Sequence, residues 1–159
     1  MARNSISRKS ILTVFKQYIC GKNQKDFVKH KTFKVGVLKE NIFMTIPSLS
    51  NRNVYISTLS LMHIYERRGA VLENVILPYF NALILFPDEV YVNKEGKNRR
   101  GDILFTKKIE NHYLTTVLEI VTIQKQIACQ VVTIFLCDEN YLEDLKCLWN
   151  GRTATPSSQ

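Results

Sequence analysis

The chain has 159 residues, of which 45% are hydrophobic and 23% charged, and its formal net charge is +8. That length and balance are ordinary for one compact soluble domain with its own core. No run of about 18 apolar residues occurs, and the N-terminus lacks the basic, apolar and small-residue blocks of a secretory leader. A membrane-spanning helix is thereby excluded, and a cytoplasmic location with no membrane partner is expected.

The charge is uneven. Residues 1–39 hold ten Lys or Arg against Asp26 alone, while the remaining residues are close to neutral. Such a segment neutralises phosphates and steers association with nucleic acid, or else it is a solvated basic surface. Arg8, Lys9 and Lys16 are its candidate nucleic-acid contacts. The four cysteines, Cys20, Cys129, Cys137 and Cys147, show no CxxC spacing. They read as reduced thiols packing as small hydrophobes, with no metal site and no cofactor.

Ile11, Leu12, Phe15, Tyr18 and Ile19 fall on one helical face and predict a helix over roughly 7–19, with Gly21 as its stop. Residues 21–31 read as a basic loop in which His30 is exposed. Phe33 to Val37 alternates, and Ile42 to Ile46 is a second β-like run, so a short hairpin is expected. PSLSNRN at 47–53 is a turn-rich connector. The expected organisation is a basic helix and hairpin extension over 1–52, a main domain over 53–150 and a disordered tail over 151–159.

In the main domain Val54 to Ser57 predicts a strand, and Ser57 or Thr58 caps the helix that follows. On that helix Leu61, Met62, Ile64 and Tyr65 cover one arc, while His63, Glu66 and Arg67 cluster opposite at i, i+3 and i+4 spacing. Gly69 ends it. A second helix runs from Val71 to about Ile84, and Pro78 either kinks it or opens a new helix. After Pro87, strands are predicted at 90–92, 102–109, 113–122 and 127–137. The connections are short, apart from the basic loop 93–101 with Lys94, Lys97, Arg99 and Arg100, which suits antiparallel neighbours. Asp138 is placed to cap a last helix ending at Gly151. The expected fold is therefore α+β: N-terminal helices on a four-stranded antiparallel meander, then a C-terminal helix.

Strand parity puts Lys107, Glu119 and Thr133 in mid-strand on otherwise apolar faces. A buried charge is costly unless it is paired. Either the face is partly open, or Lys107 and Glu119 form an ion pair, or the sheet holds a phosphodiester together with His63, Arg67, Arg99 and Arg100. The last arrangement suits metal-independent RNA cleavage, in which a carboxylate or imidazole takes the 2′-hydroxyl proton and cations stabilise the phosphorane. No phosphate loop, dinucleotide fingerprint, HExxH or GxSxG occurs. The pairs Asp88/Glu89 and Asp138/Glu139 read as turn and helix-start residues. Tyr91 and Tyr141 serve either base stacking or packing.

The order of STLSLMHIYERRG, ILPYFNALILFPDEVY, a basic glycine loop, GDILFTKK, TTVLEIV and QVVTIFLCDENYLEDL resembles the barnase, EndoU, colicin and RelE (BECR) nuclease-like domains of phages and mobile elements. It covers roughly residues 53–148. The resemblance implies a BECR-like fold and a toxin-like, metal-independent endoribonuclease. By position it makes His63, Arg67, Lys107, Glu119 and Thr133 the candidate catalytic residues. The implied partner is RNA, with tRNA a candidate, and an inhibitor or immunity protein is a candidate second partner. A catalytically inactive nucleic-acid- or protein-binding module on the same fold is the alternative, and an accessory protein is a third reading.

Overall fold

A computed structural model describes residues 6–22, 28–94 and 101–151. Its centre is a seven-stranded sheet: β1 (Thr32–Val37), β2 (Asn53–Ser57), β3 (Glu89–Val92), β4 (Ile103–Ile109), β5 (His112–Ile123), β6 (Gln126–Cys137) and β7 (Cys147–Asn150). The spatial order is β1-β2-β6-β5-β4-β3-β7; β2 and β6 run parallel, and the other neighbours antiparallel.

This corrects the expected fold class. Strands β3 to β6 do follow one another as antiparallel neighbours, but β1, β2 and β7 extend them into a mixed sheet. The missing element was the parallel pairing of Val54 with Cys129 and Tyr55 with Gln130. Partners so far apart in sequence leave no local signal, whereas a short turn does. The segment ahead of residue 53 contributes β1 to this same sheet and Ile11, Phe15 and Phe33 to the main core.

The expected hairpin is also corrected. Residues Glu40–Phe43 form the helical turn α2, and β1 pairs with β2 instead. Burial gives the reason: Ile42 and Ile46 are buried while Met44 is 74% exposed, an i, i+4 pattern that alternation does not produce. The last helix is shorter than expected. Helix α5 is only Glu139–Leu142, Asp138 makes no side-chain cap bond, and the chain then enters β7. There Trp149 pairs with Val90 and Asn150 with Glu89 on the outer edge of β3, so sheet pairing overrides helical periodicity.

The helices pack mainly on one face. Helix α1 (Ile11–Val14) starts at Ser10, whose Oγ accepts from the Thr13 amide at 3.1 Å, and continues as a π-helical turn, Phe15–Ile19. Helix α3 (Thr58–Val71) follows β2 directly, and Ser57 Oγ caps it by accepting from the Ser60 amide at 3.1 Å. A π-helical turn, Leu72–Ile76, leads into α4 (Leu77–Leu85), whose first turn carries Pro78, where a missing amide is tolerated. The kink lies earlier, at Arg68, with φ −140° and ψ 43°.

Between these helices and the sheet lies the main core. Leu61 and Ile64 from α3 and Phe80, Leu83 and Ile84 from α4 meet Phe105, Leu118 and Ile134. Truncating Phe80 or Phe105, both fully buried, costs about 3–5 kcal/mol. A smaller cluster of Leu104, Tyr113, Val117 and Leu142 sits on the opposite face, under α5. Among the described residues no helix is long and apolar enough to cross a membrane.

Candidate nucleic-acid interface

The site follows from where β2 stops. It accompanies β6 only to Gln130; beyond that point no strand among the described residues pairs with β6 on that side, and the chain of β2 has turned into α3. At the same place β6 bulges. Val117 pairs with Thr133 and Leu118 with Val131, so Val132 is the extra residue. A helix beside a bulged, half-partnered strand cannot seal against it as a second strand does. A cleft of about 660 Å³ opens along the seam.

Leu59, Ser60, His63, Arg67 and Arg68 of α3 form one wall, and Val132, Thr133 and Phe135 of β6 the other; Tyr141 of α5 also lines it. The helical spacing that keeps Leu61 and Ile64 in the core turns Ser60, His63 and Arg67 towards the cleft. Arg68 joins them through the kink, since a continued helix would align it with Ile64, four residues earlier. Its Cζ lies 5.7 Å from the centroid of Phe135, and the Phe135 ring meets Tyr141 edge to face at 5.3 Å.

The electrostatics are one-sided. Among the described residues two guanidiniums and an imidazole line the cleft, with the hydroxyls of Ser60, Thr133 and Tyr141, and no carboxylate does. Among the described residues Arg68 Nη1 is buried without a hydrogen-bond partner. Burial lowers the pKa of Arg68, and the charge of neighbouring Arg67 lowers it further. An anion placed here relieves both effects.

Of the five candidate catalytic residues, the structure brings His63, Arg67 and Thr133 into this cleft. Lys107 lies elsewhere. It shares the helix-covered face with Phe105, and its Nζ donates to the Phe86 carbonyl at 2.9 Å. Glu119 shares the opposite face with Val117, pairs across the sheet with Gln130 and does not line the cleft. Lys107 and Glu119 are thus on opposite faces and form no ion pair.

Of the seven candidate nucleic-acid contacts, the four that lie among the described residues, Arg8, Lys9, Lys16 and Lys94, do not line the cleft either. Arg8 bridges to Lys34 at the β1 edge, Lys9 Nζ lies 5.8 Å from the centroid of Phe33, and Lys16 is exposed on the π-helical turn after α1. Lys94 makes an exposed ion pair with Asp144 at 3.6 Å. Lys97, Arg99 and Arg100, like the tail from Arg152, lie outside the described residues.

The basic segment reaches the cleft by another route. Thr58, the first residue of α3, donates its hydroxyl to the Lys29 carbonyl at 2.6 Å and its amide to the Lys31 carbonyl at 2.8 Å. Lys29, His30 and Lys31 are exposed, and this fixes them beside the turn that carries Leu59 and Ser60.

Sequence reasoning missed Arg68 and Phe135. The adjacent arginines in HIYERRG were visible, but helical periodicity assigns Arg68 to the core side. Phe135 reads as an ordinary strand aromatic. No protein-family model matches the chain, and neither a curated protein nor a solved structure matches it.

Proposed function

We propose that the chain binds single-stranded RNA, with one phosphodiester and an adjoining base held in the cleft between α3 and β6. Arg68 carries this reading: a guanidinium with a buried nitrogen that has no partner among the described residues, next to a second arginine, in a cleft that no described carboxylate lines. Leaving a buried charged donor unpaired costs about 1–3 kcal/mol or more. A phosphate oxygen supplies the missing acceptor, and the guanidinium fork matches it in geometry. Phe135 and Tyr141 offer a base an aromatic surface. The lysines at 29 and 31 extend the positive field beyond the cleft. The likeness of HIYERR and VVTIF to BECR-type segments agrees with RNA as the ligand class.

Metal-independent cleavage is a second reading, favoured by one observation: His63 shares the cleft with both arginines and three hydroxyls. An imidazole can take the 2′-hydroxyl proton while guanidiniums stabilise the phosphorane. Of the two expected types of base, imidazole or carboxylate, this reading uses the imidazole of His63, since Glu119 does not line the cleft.

The test is anisotropy of a labelled single-stranded RNA 12-mer in EDTA at several salt concentrations, with the product run on a denaturing gel. Arg67→Ala and Arg68→Met are each expected to weaken binding about 10-fold to 100-fold and to flatten the salt dependence by about one phosphate contact. Unchanged affinity in the double variant rejects the cleft. RNA cut by the wild type and left intact by His63→Ala selects the catalytic reading; RNA intact throughout selects binding alone.

A further inference from the structure

A second groove, of about 440 Å³, lies where α4 ends, and it shares no lining residue with the cleft. Its apolar lining is Ile42 of α2, Leu85 and Phe86 at the end of α4, Pro87, and Trp149 of β7, with Asn41 and charged side chains around them. Phe86 is 56% exposed, an unusual state for a phenylalanine just past the end of a helix in the main core. Two cations converge on it. Lys39 Nζ stands 4.3 Å from its ring centroid, and Lys107 Nζ donates to its carbonyl at 2.9 Å. Among the described residues neither lysine has a carboxylate partner. The groove also holds the Asp88 carboxylate, whose Oδ2 accepts from the Lys108 amide at 2.7 Å, so with Lys39 and Lys107 its formal charge is net positive by one.

We infer that this groove docks an acidic peptide segment of a partner protein, with a bulky apolar side chain seated against Phe86 and Trp149 and a flanking carboxylate between Lys39 and Lys107. Charge complementarity selects the occupant. Two ammoniums held on an apolar floor attract an anion but give it none of the guanidinium forks that suit a phosphate backbone. Aliphatic and indole walls desolvate a Leu or Phe side chain, the arrangement of an interface anchor surrounded by a charged rim. A nucleic acid brings no such side chain. Lys107 acquires a role here that its mid-strand position only hinted at: the Phe86 carbonyl pins its ammonium at the groove wall.

Trp149 is the single tryptophan of the chain, so its emission reports occupancy directly. The full chain is titrated with a pool of acetylated, amidated hexapeptides in which one Leu or Phe is flanked by Asp and Glu. The parallel titrations use the same pool with Lys in place of the acids, a pool with Gly in place of the apolar residue, and a single-stranded RNA hexamer. The acidic apolar pool is expected to shift the emission saturably. Lys39→Glu is expected to weaken the response at least tenfold, and Phe86→Ser to remove it. Lys39 is exposed and Phe86 more than half exposed, so both variants keep the fold, which circular dichroism checks. The inference is overturned by no shift from the acidic pool at millimolar peptide, by an equal response to the lysine or glycine pool, or by a response to RNA alone. None of these outcomes depends on RNA binding in the cleft between α3 and β6.

Discussion

The two concavities differ in the cations they use and in how the fold makes room for them. The α3–β6 cleft exists because a strand stops: β2 leaves β6 after Gln130, and a helix takes its place beside a bulge. It gathers guanidiniums, an imidazole and hydroxyls. The α4 groove exists because a helix stops, leaving Phe86 outside the core with two ammoniums around it. Backbone endings create both openings, but the side chains that border them suit different anions. A forked, unpartnered guanidinium fits a phosphate, and an ammonium on an apolar floor fits a carboxylate carried on a hydrophobic peptide.

The largest expected effect separates the two through the scaffold. Gly101 has φ +102°, and a Cβ there would run into the Val117 side chain. Val117 is the residue that pairs with Thr133 at the bulge. Gly101→Ala therefore adds about 1–3 kcal/mol of backbone strain and about 1–3 kcal/mol of overpacking. Urea denaturation should show that loss, and RNA affinity should fall with it while the peptide response of Trp149 is kept. An unchanged urea midpoint would contradict the close approach of Gly101 to β5.

Arg68→Met sharpens the comparison at the cleft itself. Methionine follows the side chain's path over Phe135 and removes a buried donor that has no partner. RNA affinity is expected to fall by about 1–3 kcal/mol while folding stability stays level or rises, since the unsatisfied group no longer has to be buried. A matching fall in stability would make Arg68 a structural residue.

Cys129 tests the strand pairing that ends at the cleft. It sits opposite Val54 in the parallel β2–β6 pair, and burial pushes its thiol up from 9.0 to about 12, with the charge of Asp102 adding to the effect. The folded state therefore holds the proton more tightly than the unfolded one. Its contribution is fully present below about pH 9 and is lost from there towards pH 12, at about 1.4 kcal/mol per pH unit. Melting curves between pH 8 and 10 should show a shallower alkaline decline for Cys129→Ala than for the wild type. Parallel declines would contradict burial of the thiol.

Local patterns carried part of the fold. Alternation and short turns marked β4, β5 and β6, and the cap of α3 was narrowed to Ser57 or Thr58, of which Ser57 makes the bond, because these features depend on neighbouring residues. The β2–β6 pair and the attachment of β7 to β3 were not visible, because their partners lie far apart in the chain. The candidate site divided in the same way. His63 and Arg67 belong together by helical spacing, a local fact. Thr133 reaches them through the β6 bulge and Arg68 through a kink, and neither departure from regular geometry has a sequence signature here. Parity alone failed for Lys107 and Glu119: each was correctly set among apolar neighbours on its own strand, but which face of the sheet those neighbours occupied depended on packing across it.

The smallest expected effect lies in the groove. Lys39 is exposed and meets Phe86 only through its ring, at 4.3 Å, a contact worth about 0.5–1 kcal/mol at such a site. Lys39→Gln should therefore move the urea midpoint little, leave RNA affinity unchanged and weaken the acidic-peptide response of Trp149 several-fold. Lys107→Gln is the informative counterpart. It loses a hydrogen bond from an ammonium to the Phe86 carbonyl as well as the charge, so it should cost more stability than Lys39→Gln for a similar loss of peptide response. If Lys39→Gln instead weakens RNA binding as much as peptide binding, the two openings form one electrostatic surface, and the division between guanidinium cleft and ammonium groove fails.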